Sequence, residues 1–107
     1  MLHKLKALFG FGAKQNFAAL VKEGAIIVDV RSSAEFASGH IKNAINIPVD
    51  SLSYNLQKLP SKSKTIITCC ASGMRSSVAK SILSSNGYTN VFNGGGWISL
   101  NNKILNN

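Results

Sequence analysis

The chain has 107 residues, 45% of them hydrophobic, and its ten lysines, two arginines and four acids leave a formal charge of +8. That length allows one domain with a modest core, and that hydrophobic share excludes a disordered chain. The lysines form no run and no aromatic-lined basic stripe, which argues against nucleic acid and for small anionic substrates or an acidic partner.

Residues 1–14 form a short lead in which Lys4 and Lys6 precede an apolar stretch over 7–13. The stretch is interrupted by glycine, lacks an A-x-A site and is far too short to span a bilayer. Leu2, Leu5 and Leu8 share one helical face, but neither export nor membrane contact is expected, and the setting is expected to be cytoplasmic. The folded domain is expected over 15–101, followed by a frayed, asparagine-rich tail over 102–107. A monomer or weak dimer is expected.

Asn16 can cap a short helix that places Phe17, Leu20 and Val21 on one face and ends at Gly24. Ala25-Ile26-Ile27-Val28-Asp29-Val30 is β-branched and almost uniformly apolar, the pattern of a strand buried on both faces of a parallel sheet. Ser32 and Glu35 form a capping box for the next helix, which Gly39 ends. Ala44-Ile45-Asn46-Ile47-Pro48 is a short strand stopped by proline. Leu52, Leu56 and Leu59 fall at i, i+4 and i+7, which predicts a helix ended by Pro60. A strand over 65–69 follows, then a helix over 77–85 that buries Val78, Ala79, Ile82 and Leu83. A last strand covers 90–93, ahead of Gly94-Gly95-Gly96-Trp97. Strands alternating with helices predict a single α/β domain: a parallel sheet flanked by helices on both faces. Ligands in such sheets bind at the carboxyl ends of the strands, where Asp29-Val30-Arg31 and Cys70 both fall.

The segment Cys70-Ala71-Ser72-Gly73-Met74-Arg75-Ser76 carries the chemistry. It joins a strand to a helix, so its backbone N–H groups converge at a helix N-terminus that favours an anion. A thiol at the base of such a loop has a lowered pKa and supplies the thiolate nucleophile. Gly73 allows the tight curl, and Arg75 adds a charged fork. The two cysteines are adjacent, too close to serve as a structural staple, which suits a reducing compartment. No second cysteine pair exists, and His3 and His40 lack ligand spacing, so no metal is expected.

Asp29-Val30-Arg31, Glu35-Phe36, Gly39-His40-Ile41, Ala44 and Asn46-Ile47-Pro48 resemble the rhodanese-domain signature D-V-R-x3-E-F-x2-G-H-I-x2-A-x-N-I-P. Cys70-x-x-Gly73-x-Arg75-Ser76 resembles the active-site loop of that family, and Gly94-Gly95-Gly96-Trp97 its late glycine-tryptophan segment. Together these positions cover residues 24–97. The resemblance implies the rhodanese-like fold and a sulfurtransferase that needs no metal or organic cofactor. Cys70 would take the outer sulfur of a donor such as thiosulfate, become a persulfide and pass that sulfur to cyanide or another thiol. It further implies that the amides of Ala71, Ser72, Gly73, Met74, Arg75 and Ser76 steady the negative sulfur, and that Arg75 holds the loop or the departing sulfite. Ala71 and Met74 stand where many thiosulfate-using relatives carry basic and polar residues. A protein or low-molecular-weight persulfide therefore fits the mouth as well as thiosulfate does.

Two other readings stay open in the sequence. A non-enzymatic module could relay persulfide to a partner. Counted from Cys69, the loop is C-x5-R, the length used by cysteine-dependent phosphatases and arsenate reductases. Side chains alternate along a strand, so Cys69 is expected to face away from Cys70 as a buried, inert thiol. His40 is expected to be a turn histidine and Trp97 a core residue. Asp29, Arg31 and Glu35 are expected to form an ion-pair and capping network beneath the site. An alternative has Asp29 orienting Arg75.

Overall fold

A computed structural model describes residues 15–106. The first helix, α1 (Phe17–Lys22), starts where the Asn16 side chain accepts a hydrogen bond from the Ala19 N–H at 3.0 Å. Four strands, β1 (Ile26–Asp29), β2 (Ile45–Asn46), β3 (Ile66–Cys70) and β4 (Val91–Gly96), make one parallel sheet in the order β2-β1-β3-β4. Parallel neighbours require crossovers. These are α2 (Ser33–Ala37), two 3-10 turns (Val49–Tyr54 and Leu56–Lys58) and α3 (Met74–Ser85). A final helix, α4 (Trp97–Leu105), follows β4 directly.

The period-2 alternation of β3 divides the core in two. Ile66 and Cys70 enter one cluster with Val28, Val30, Leu52, Leu59, Ala79 and Leu83, beneath the 3-10 turns and α3. Ile67 and Cys69 enter the other with Ile27, Ile41 and Leu100, against which Phe17, Leu20 and Ile104 of α1 and α4 pack. Every residue of β3 is buried, as a central strand covered on both faces requires. The capping box forms as the sequence predicts: Ser32 Oγ accepts from the Glu35 N–H, and the Glu35 carboxylate accepts from the Ser32 N–H.

Four expectations are corrected. The helix through Leu52, Leu56 and Leu59 is instead a pair of 3-10 turns broken at Asn55, whose φ is −127°. Its side-chain amide donates to the Ser51 carbonyl, the local competition by which asparagine undoes helices. Leu52 and Leu59 still reach the core, because a tighter turn preserves a near three-residue repeat. Val78 is exposed, and it is Ser76, Ala79 and Leu83 that α3 buries. The helix begins at Met74, so its inward stripe follows 76, 79 and 83. The last strand runs on through the glycines to Gly96. The tail is helical to Leu105, because Trp97, Leu100 and Ile104 form an apolar stripe within the asparagine-rich sequence. The lead over 1–14 lies outside the described residues.

Candidate active site

Parallel pairing brings the carboxyl ends of β1, β3 and β4 to one edge of the sheet: Asp29 lies beside Cys69, and Cys70 beside Gly96. The ladder between β3 and β4 shifts register after Thr68, which lets the glycine run of β4 reach the loop. A Cβ on Gly96 would come within 2.8 Å of the Ala71 carbonyl oxygen, so only glycine allows this approach.

Gly73 takes φ +104°, a left-handed conformation that turns the chain into α3 as its N-cap residue. It has no side chain with which to cap, so the first N–H groups of α3 need another acceptor. Cys70 Sγ fills that place. It accepts from the Gly73 N–H at 3.0 Å and the Ser76 N–H at 3.4 Å, and it lies 3.5 Å from Ser76 Oγ. Burial pushes the Cys70 thiol up, but hydrogen bonds from the Ser76 hydroxyl and from the Ser76, Gly73 and Ser72 amides outweigh it. The net effect leaves Cys70 below the ordinary thiol range. The sulfur lies at the floor of the loop, with Cys70 only 1% exposed, while Ala71, Ser72 and Met74 line an exposed mouth.

Cys69 faces the opposite core. Burial, reinforced by the Asp29 carboxylate, pushes its thiol up to about 12. It therefore stays a protonated packing residue, and the longer loop register counted from it has no nucleophile.

The chain's two arginines both serve this edge. Arg31 is held by Asp29: its Nε lies 2.9 and 3.0 Å from the two carboxylate oxygens, and its Nη2 donates to Oδ2 at 2.7 Å. Arg31 also donates to the Glu35 and Gly39 carbonyls and stacks over the Trp97 ring at 4.7 Å. Trp97 is thereby half-buried against a cation and not a pure core residue. Asp29 does not orient Arg75. That task falls to Glu35, whose two oxygens accept from Arg75 Nη1 at 2.7 Å and Nη2 at 3.0 Å. The pair ties α2 to α3 across the loop.

Glu35 also supplies a pH prediction. The Arg75 fork, together with the Ser32 N–H, holds its carboxyl at about 2, against an ordinary 4.5. A depressed folded-state value stabilises fully above the unfolded pKa and is lost as pH falls through the folded one. Wild type should therefore lose stability on acidification from about pH 4.5 to about pH 2 more steeply than Glu35→Gln. Urea midpoints at about pH 5 and about pH 2.5 would show it, and parallel slopes would remove the pair from the acid response.

Two further site residues carry no mark in the motif. Thr68, fully buried in β3, donates from Oγ1 to the Ser76 carbonyl at 2.9 Å and anchors the first turn of α3. A hydroxyl inside the run Ile66-Ile67-Thr68-Cys69 is the available signal, because a buried hydroxyl needs a partner. Asn93 accepts from the Ser76 hydroxyl at 2.6 Å and from the Gly95 N–H at 2.9 Å. His40 behaves as a turn residue, with Nδ1–H donating to the Phe36 carbonyl at 2.7 Å and the ring stacked on Phe36. Among the described residues, no group of three His, Cys, Asp or Glu side chains is placed to hold a metal ion. Nor does any described helix have the length and apolarity to cross a membrane.

A buried sulfur with a lowered pKa thus takes the place of a helix cap at the carboxyl edge of a small parallel sheet. The chain belongs to the Rhodanese-like domain family, whose profile matches residues 13–100. It is 39% identical over 70 residues to the thiosulfate sulfurtransferase PspE of Escherichia coli, a match covering 64% of this chain and 67% of that one. It is 36% identical over 96 residues to a tRNA uridine(34) hydroxylase of Wigglesworthia glossinidia brevipalpis. That match covers 84% of this chain and 30% of the hydroxylase, so the chain spans under a third of that relative's length. The structure of a rhodanese with anions from E. coli superposes with a TM-score of 0.67 at 36% identity, covering 70% of this chain and 89% of that one.

Proposed function

We propose that the protein is a sulfurtransferase that carries sulfur as a Cys70 persulfide. The observation that carries this reading is the Cys70 sulfur seated as acceptor for Gly73 and Ser76, with its thiol lowered despite burial. Cys70 thiolate attacks the outer sulfur of a donor, thiosulfate or a persulfide. A new S–S bond forms, the donor's S–S bond breaks, and sulfite or a thiolate leaves with the electron pair. An acceptor thiolate or cyanide then attacks the outer sulfur, and the electrons of the second broken bond return to Cys70. Two displacements of this kind give ping-pong kinetics, and the cradle removes the need for a separate base. The exposed amides of the loop would hold the charge on the outer sulfur. Because Glu35 occupies the Arg75 fork, the role assigned to Arg75 is to fix the loop and not to grip departing sulfite. No metal or organic cofactor enters this cycle.

Met74 stands 79% exposed beside the loop, an apolar lip that favours a protein or thiol persulfide over thiosulfate as a partner. A relay that loads Cys70 and delivers sulfur only to such a partner is the second reading. Intact mass after incubation with thiosulfate, and separately with a low-molecular-weight persulfide, tests both. The enzyme reading expects a gain of one sulfur that cyanide removes with repeated turnover. Loading without turnover would select the relay, and no gain from either donor would overturn the persulfide reading. The adjacent free cysteines fit the reducing cytoplasm that we assign to the protein.

A further inference from the structure

The Ser76 hydroxyl has one proton and three claimants. Its Oγ lies 2.6 Å from Asn93 Oδ1, 3.0 Å from the Gly73 carbonyl and 3.5 Å from Cys70 Sγ. The Asn93 amide is not free to turn over. Its Oδ1 accepts from the Gly95 N–H at 2.9 Å and its Nδ2 donates to the Gly73 carbonyl at 3.3 Å, so a flip would set N–H against N–H and oxygen against oxygen. With Oδ1 fixed towards Ser76, the hydroxyl donates to Asn93 and offers a lone pair to the sulfur. That arrangement suits a protonated thiol, whose S–H then donates to Ser76 Oγ. It does not suit a thiolate, which needs a donor in the same place.

We propose that Asn93 is a positioning residue for the Cys70 nucleophile, holding the Ser76 hydroxyl proton while Sγ is uncharged and yielding it when Sγ carries the charge. Nothing else in the network has to move. When the hydroxyl swings to Sγ, Asn93 Oδ1 keeps its bond from Gly95, and the backbone donors to Sγ stay in place. In the sulfur-transfer cycle, on whose persulfide step this extension rests, the charge leaves Sγ when the outer sulfur arrives. The proton then returns to Asn93.

The charged groups around the loop are committed elsewhere. Arg75 on α3 pairs with Glu35 on α2, and Arg31 beyond β1 pairs with Asp29. Cys69, the other thiol on β3, faces the opposite core, where burial pushes it up to about 12.

The test is the pH titration of the ultraviolet thiolate absorbance in wild type, Asn93→Ala, Ser76→Ala and the double variant, each with a thermal melt to confirm folding. This titration uses no sulfur donor, so it stands or falls separately from the mass experiment above. Ser76→Ala should raise the Cys70 midpoint by about one pH unit, the value of a lost hydrogen bond to a charged group. Asn93→Ala should lower it by roughly half a unit, because the hydroxyl has lost its preferred alternative. In the Ser76→Ala background, Asn93→Ala should move nothing. A merely structural Asn93 would lower the melting temperature and leave the midpoint alone, or would raise the midpoint by loosening the cradle. Either result overturns the proposal, as does an equal shift with and without Ser76. Should Asn93→Ala not fold, Asn93→Asp supplies the same cycle. Its carboxylate must raise the midpoint more in the presence of Ser76 than in its absence, and equal rises overturn the proposal.

Discussion

Replacing Cys70 with serine should lower sulfur transfer by more than about a thousandfold, the scale on which removal of a covalent nucleophile acts. Two physical reasons add. The same cradle that lowers a thiol's pKa leaves an alcohol protonated, and an oxygen in that place does not carry a sulfane sulfur. Because Sγ also serves as acceptor for Gly73 and Ser76, a serine oxygen with its shorter bonds would keep part of the cap, and the variant should fold. Cys69→Ser should do the reverse. It places a hydroxyl among Ile27, Ile67 and Leu100, lowers the melting temperature at a cost of about 1–3 kcal/mol, and leaves turnover intact. Thiosulfate-to-cyanide assays and melts on the two variants decide the matter. Activity lost in a folded Cys69→Ser protein but kept in Cys70→Ser would sink the assignment of the nucleophile.

The largest effect on stability is expected from Asp29→Ala. Asp29 is fully buried, and its carboxylate accepts from the Arg31 backbone N–H and from the guanidinium, whose side chain is only 5% exposed. Removing one partner strands the other charge in the interior, which costs about 3–5 kcal/mol. That is a large share of the total stability of a domain this size. Arg31 would also lose the restraint that holds it over Trp97 and against the Glu35 and Gly39 carbonyls, so α2 and its grip on Arg75 should loosen. Urea unfolding of wild type and variant measures the difference. A loss below about 1 kcal/mol would show that the pair is solvated and not buried.

Much of this was legible in the residues. The run Ile26-Ile27-Val28 told of a strand covered on both faces, and Ser32 with Glu35 told of a capped helix, because both signals act over a few neighbouring positions. The cradle was legible because a cysteine at a strand end followed by Gly73 leaves few backbone solutions. What escaped depended on distant partners. Glu35 reads as a cap and as a member of an ion-pair network with Asp29 and Arg31, yet the charge it pairs with is Arg75, forty residues away in the chain. Asn93 resembled a strand end and proved to clamp Ser76, since nothing local reveals which hydroxyl an amide will meet across a parallel sheet. The helix at the C-terminus was hidden by its asparagines, whose weak propensity is overridden once Leu100 finds the core.

The depth of the nucleophile separates the empty protein from the loaded one. Cys70 is 1% exposed, and its sulfur lies beneath the Gly73 turn, on the strand that pairs with the glycine run ending β4. Once sulfur is taken up as proposed, the reactive atom stands one S–S bond, about 2 Å, nearer the surface. Loading thus lengthens the arm: the protein shields its own sulfur while idle and presents the borrowed one while charged.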